Sequence, residues 1–321
     1  MIDTFELSWK LRYEQREYLE EHMGIKLKEL AVATRVRNDG ITYKAFDSKY
    51  GAYVKITISL PRLLSKGVVT DEDYTKVERQ IINELTFYFG DQNMFQEHSL
   101  TRLDYRIDCR NIPKILRRLY INIFDKAKDR YYRMVKIGII TKGRVKSKYD
   151  TGSVHKCKSI EIALYDKEAE REEKKEEIKP WEEGVIRFEV RLKRDHLKNK
   201  KRTGVDNKLI DYWSSKRCKE YVEKYLLSVY YSEDYYTLDA AKKIIYGSVK
   251  TNVKKEKLVA FISLLSKGNY NSLLKKHSIS TVRSRLKELS ELGINPVIIP
   301  EKYARGFSSL PNIIEKELQA M

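Results

Sequence analysis

The sequence predicts an α+β fold: a mostly antiparallel sheet with helices on one face, followed by a mainly helical C-terminal region. Three observations predict it. Strand-length runs of alternating or β-branched residues recur through the first two hundred positions. Amphipathic stretches of helical period lie between them. Beyond about Lys200 the pattern becomes almost wholly helical. These features divide the chain into a core over 1–199 and a helical region over 200–321.

The elements follow in order. Tyr53–Leu60, "YVKITISL", alternates as a half-buried strand does. Asp71–Phe89 opens on acidic residues, repeats apolar ones near every 3.6 positions and meets a stop at Gly90, so it reads as a helix. Leu100–Cys109, "LTRLDYRIDC", alternates again. Leu103, Tyr105 and Ile107 share one face, and Arg102, Asp104, Arg106 and Asp108 the other. Ile112–Met134 reads as a second amphipathic helix with Pro113 in its first turn. Ile160–Tyr165 is an apolar strand that ends by putting Tyr165 at its lip. The charged run Lys167–Glu183 after it reads as a solvated helix or mobile insert. Val185–Leu192, "VIRFEVRL", repeats the two-faced design, with Arg187, Glu189 and Arg191 on the polar side. The resulting sheet has an open polar face opposite its helices.

The C-terminal region begins with one long amphipathic stretch, "KLIDYWSSKRCKEYVEKYLLSVYY". Then comes a pattern of helix, Gly268 turn, helix, Ser280 cap, helix and Gly293 stop. Its basic third helix carries Arg283 and Arg285. This suits a helix-turn-helix module, and equally an ordinary three-helix bundle.

Composition narrows the partners. The 321 residues carry a formal net charge of +18, together with 23 tyrosines. Phosphate neutralisation makes nucleic acid the fitting polyanion, with a membrane surface as the rival. No apolar run approaches the length of a spanning helix, and the N-terminus lacks a signal-peptide pattern, so a cytoplasmic protein without membrane association is expected. Cys109, Cys157 and Cys218 are far apart, the five histidines lack metal spacing, and no glycine-rich phosphate loop is present.

The polar strand faces hold the candidate chemistry. Asp104, Asp108 and Glu189 offer oxygen ligands suited to Mg²⁺ or Mn²⁺. Arg102, Arg106, Arg187 and Arg191 offer paired donors to phosphates. Tyr165 becomes a nucleophile only beside a cation or base, and Lys167 is the candidate. Cross-strand ion pairing accounts for the same Asp/Arg alternation, and packing for a strand-end tyrosine.

Five segments, in order, resemble one family. "MIDTFEL", "LTRLDYRID", "IALYDKEAE", "GVIRFEVRLKRDHLK" and the C-terminal "LLSKGNYNSLLKKHSISTVRSRLKELSELGI" are similar to motifs of the rolling-circle replication initiators of filamentous phages, the gene II/X family of phage and plasmid replication proteins. The resemblance implies a nuclease core of the Rep/relaxase kind. It implies metal-dependent, site- and strand-specific nicking and joining of DNA through a 5′-phosphotyrosine. It places Tyr165 at the nucleophile, with Lys167 beside it. Asp104 and Glu189 stand at the metal positions, Asp108 is a further candidate, and Arg187 accompanies Glu189. The implied partners are an origin, single-stranded or supercoiled, and the helicase and polymerase of a bacterial host. Conjugative relaxases share this chemistry, and a non-enzymatic DNA-binding regulator is the other alternative. The chain departs from many such enzymes in having no His-x-His pair and a single tyrosine in the nicking segment.

Overall fold

The structure is a computed structural model that describes the chain outside residues 36–39, 125–132, 137–138, 142–143, 147–150, 202–205, 268–272, 304–305 and 321. The strands before residue 200 are β1 (Ile2–Lys10), β2 (Ile41–Ser48), β3 (Gly51–Ser59), β4 (Ser99–Cys109), β5 (Arg133–Lys136), β6 (Ile139–Thr141), β7 (Arg144–Lys146), β8 (Gly152–Lys156), β9 (Ile160–Asp166) and β10 (Ile186–Lys193). Among the described residues, eight form one sheet in the order β2-β3-β1-β4-β10-β9-β8-β5, and β6 pairs with β7. The pairings β1–β3, β1–β4, β2–β3 and β5–β8 are antiparallel. The fold is therefore α+β with an antiparallel sheet.

Compactness divides the chain into two interleaved units. The first is Met1–Arg106, Lys158–Glu161 and Val190–Glu220. The second is Ile107–Cys157, Ile162–Glu189 and Tyr221–Met321. The boundary expected near residue 200 falls at the end of a helix, Arg194–Lys201, within the first unit.

In the first unit, alternation decides which side chains enter the core. Phe5, Leu7 and Trp9 of β1 and Val54, Ile56 and Ile58 of β3 are buried. Their neighbours Glu6, Ser8, Tyr53, Lys55 and Thr57 are only half-buried. A 3₁₀ turn at Asp71–Asp73 leads into the helix Tyr74–Phe89, which buries Val77, Ile81 and Leu85. Gly90 ends it in the left-handed region, φ 67°, as the sequence predicts. Tyr88 of that helix meets Tyr43 of β2 edge-on at 5.3 Å. The expected long helix from Lys208 is broken. A 3₁₀ segment, Leu209–Tyr212, precedes the helix Ser215–Tyr225, and Leu227–Tyr230, a residue range of the second unit, is a separate turn of helix. Trp213 sits at the first break, its indole donating to Thr70 O and its ring edge-on to Phe5.

In the second unit, the helix Lys114–Phe124 buries Leu119, Tyr120, Ile121, Ile123 and Phe124. The expectation that it continues to Met134 is corrected: Met134 stands in β5. Phe124 packs at 5.3 Å from Phe188 and 4.8 Å from Tyr230. After the short strand β11 (Tyr235–Tyr236), which pairs with β12 (Ser309–Leu310), come the helices Leu238–Ser248, Asn252–Lys267 and Ile279–Glu291. Leu258, Phe261, Ile262, Val282 and Leu289 share one apolar cluster with Ala241 and Ile245. Ser278, not Ser280, caps the last of these helices, its side chain accepting from the Thr281 amide. The Gly268 turn lies outside the described residues. Among the described residues no helix is long and apolar enough to cross a membrane.

Candidate active site

Tyr165 does not stand at a sheet edge. It is the penultimate residue of β9, which lies between β10 and β8. Ile160, Ile162, Ala163 and Leu164 before it are buried, and Tyr165 itself keeps 6% of its surface exposed. The neighbouring strand approaches closely because it carries a glycine there. A Cβ on Gly152 would fall 2.3 Å from Leu164 O and 2.6 Å from Tyr165 Cβ. The Tyr165 hydroxyl donates to Glu189 Oε1 of β10 at 2.5 Å, and Glu189 is 2% exposed. A carboxylate held this close to a phenol is chemically able to accept its proton.

The charged run that follows opens as a helix, one of its two expected forms, with Lys167 buried and Glu172, Glu173 and Lys174 exposed. Asp166 caps a helix, Lys167–Lys174, by accepting from the Glu168 and Ala169 amides. Arg117, itself buried, donates to Asp166 at 2.8 Å and also pairs with Glu168. Arg171 grips Glu182 through Nε and Nη2, with separations of 2.7–3.1 Å, and also pairs with Glu176. Lys167 is buried, and its ammonium donates to Glu170 at 2.5 Å, with Glu182 at 3.8 Å. It stands 5.6 Å from the centre of the Tyr165 ring. Burial, then the positive charge of Arg187, lowers the Lys167 pKa below the usual lysine range. Burial pulls the Glu182 pKa upward, but the Arg171 hydrogen bonds and the Lys167 charge outweigh it, and the net direction is down.

Arg187 completes the charged group of the second unit. It is 2% exposed and forks Asp108, Nε at 2.7 Å and Nη2 at 2.9 Å. Removing such charges from water costs several kcal/mol per ion, so a buried network of this size is weak evidence of stabilisation and marks a candidate functional site.

The remaining candidates belong to the first unit. Arg102 forks Asp104 at 2.9 and 2.6 Å, and Arg191 lies 4.0 Å from the same carboxylate. Arg191 and Lys193 also reach Glu161, at 3.7 and 2.6 Å. Arg106 is buried, bonded to Asp3 at 2.7 Å and to the Gly67 carbonyl. The expected open polar face is thus closed at Asp104, Arg106, Arg187 and Glu189, all of which are buried. Arg102 and Arg191 stay partly exposed. In the C-terminal helices Arg283 is exposed, while Arg285 folds onto Glu288 at 2.8 Å.

Each of the three acidic candidates has a partner within the protein. Arg102 engages Asp104, Arg187 engages Asp108, and the phenol engages Glu189. Among the described residues no group of three or more His, Cys, Asp or Glu is placed to hold a metal ion. Sequence reasoning did not single out Gly152, Arg117 or Glu182. A glycine opening a strand was the one readable signal among them. The sequence matches no protein-family model and no curated protein.

Proposed function

We propose that this protein nicks and rejoins DNA as a rolling-circle replication initiator, with Tyr165 as nucleophile. The observation that carries the reading is the buried hydrogen bond from the Tyr165 hydroxyl to Glu189, with the cationic Lys167 beside the same ring. Each step uses the protein's own side chains. Glu189 takes the phenolic proton as the Tyr165 oxygen bonds to the scissile phosphorus. The bond from phosphorus to the 3′ oxygen breaks. That oxygen leaves with a proton from Lys167, whose hold on it is loosened by burial and by Arg187. The products are a 5′-phosphotyrosyl strand and a free 3′-hydroxyl for a polymerase. Attack by that hydroxyl on the phosphotyrosine reverses the step and rejoins the strand. Because Tyr165 is nearly buried, the phenol has to be uncovered before a phosphate reaches it. The exposed Arg283 on the last of the three C-terminal helices suits contact with the origin duplex.

The test is a gel assay on end-labelled single-stranded and supercoiled DNA from the element that encodes the protein. It compares the native chain with Tyr165→Phe, each with Mg²⁺, with Mn²⁺ and with chelator. A protein-linked 5′ end that disappears in Tyr165→Phe supports the reading, and the chelator lane reads the metal requirement directly. Cleavage retained in Tyr165→Phe moves the nucleophile elsewhere.

A second reading is favoured by the ion pairs themselves. Asp104 with Arg102 and Asp108 with Arg187 form charge pairs that a nucleic-acid-binding regulator would hold for structure alone. Tight, salt-sensitive binding without a covalent product selects that reading. Conjugative transfer uses the same chemistry, and a plasmid replication assay separates it from replication initiation.

A further inference from the structure

We infer that the outer face of β1, β2 and β3 is a stacking platform for single-stranded nucleic acid. The inference rests on the nucleic-acid-binding character common to both functional readings, and it concerns residues of the first unit only. The register sets out a grid of nine side chains on one face. Phe46, Tyr53 and Lys10 form the first row; Lys44, Lys55 and Ser8 the second; Thr42, Thr57 and Glu6 the third. Neighbouring strands lie about 4.8 Å apart and alternate residues about 7 Å, so the grid measures about 10 by 14 Å. That is the scale on which a sheet stacks two or three bases.

Three observations point to this occupant. Phe46 and Tyr53 lie face to face, centroids 5.6 Å apart and planes 15° from parallel, and Phe46 is 48% exposed. A stacked aromatic pair that is half-exposed on a sheet still offers ring surface that unpaired bases cover and duplex bases cannot. Next, Lys44 stands directly opposite Lys55, a like-charge pairing that destabilises adjacent strands. An anion lying across both relieves it. Glu6 is the single acid on the grid and already accepts from Lys55 at 2.8 Å, leaving the charge positive. Finally, the hydroxyls of Thr42, Thr57 and Ser8 stand on the same face, and such groups bond phosphate and sugar oxygens. The opposite face of these strands is core, so the grid is the side that solvent reaches.

The experiment uses the full chain and fluorescence anisotropy with a labelled oligothymidine of about 20 nucleotides, longer than one such site, and with a duplex of equal length. Phe46→Ala and Tyr53→Ala are each expected to weaken single-strand binding by about tenfold, with duplex binding unchanged. Phe46→Trp restores it. Lys44→Ala is expected to flatten the plot of log affinity against log salt by about 0.7, the share of one neutralised phosphate. Thermal unfolding of each variant identifies any that is misfolded. Photocrosslinking of the native chain to 5-iododeoxyuridine DNA needs no variant: adducts within residues 41–55 support the platform, and adducts only elsewhere overturn it. Single-strand binding by the native chain that Phe46→Ala and Tyr53→Ala leave intact also overturns it, and leaves Lys44 as the guard of an edge strand. Failure of the native chain to bind either oligonucleotide at low salt overturns the nucleic-acid reading as well.

Discussion

Replacing Glu189 by Gln separates a base from a structural acceptor. The amide keeps an oxygen where the carboxylate oxygen stands, 2.5 Å from the Tyr165 hydroxyl, so the phenol keeps its partner. What goes is the negative charge and the capacity to take the proton. A charge-assisted hydrogen bond becomes a neutral one, a loss of about 1 kcal/mol of stability. General-base catalysis contributes about 10²–10⁴ in rate, or about 3–5 kcal/mol of transition-state stabilisation. The expected signature is therefore unequal: covalent adduct formation slows at least about 100-fold while the urea midpoint barely moves. Solvent must then supply the phenolate, and tyrosine in water ionises only near pH 10. Adduct formation by the variant should accordingly climb by about tenfold per pH unit in alkaline buffer. The assay is quenched-flow capture of the 5′-linked protein on a denaturing gel, across pH, with unfolding measured on the same preparations. If Glu189→Gln forms adduct at close to the native rate, Glu189 is a structural acceptor and the proposed proton transfer is wrong.

Two further outcomes follow from the fold. His98 holds a neutral tautomer, because one ring nitrogen lies 2.6 Å from Phe95 O and the other accepts from the Leu209 amide at 2.9 Å. Burial pushes its pKa down to about 4, and His155 is pushed to about 4 by burial as well. The unfolded chain binds these protons near pH 6.5 and the folded chain only near 4. Stability is therefore fully present above about pH 6.5 and falls as the pH drops toward about 4, by about 3 kcal/mol for each histidine. Urea unfolding of His98→Asn should lose the His98 share of that acid limb and keep the His155 share; an unchanged limb refutes the assignment. Gly152→Ala drives a methyl into the Leu164 carbonyl and the Tyr165 backbone. It is expected to cost about 1–3 kcal/mol in urea unfolding and to depress adduct formation, whereas a stability equal to the native protein's would deny the close approach.

The candidate site divides along the same line as the fold. The three strands expected from alternation, and the apolar strand Ile160–Tyr165, are present with ends within about two residues, because strand geometry enforces a two-residue period that is legible locally. β1 was missed: its pattern is interrupted by a register shift between Ile2 and Thr4. β2 was missed because Phe46 faces outward beside Thr42 and Lys44, blurring the contrast between its faces. Alternation also put Arg187, Glu189 and Asp108 on polar faces correctly, yet it said nothing of what lies over those faces.

By itself the sequence determined the strand periods, the two-faced design of β4 and β10, the stop at Gly90 and the excess of positive charge. Each is a property of neighbouring residues or of their sum. Tertiary structure alone decided that the polar residues around Tyr165 are buried, that Lys167–Lys174 is a capped helix tied to Glu182, and that the Tyr165 hydroxyl meets Glu189, 24 positions away on the next strand. Burial and pairing depend on which distant segments pack together, and no local period encodes that choice.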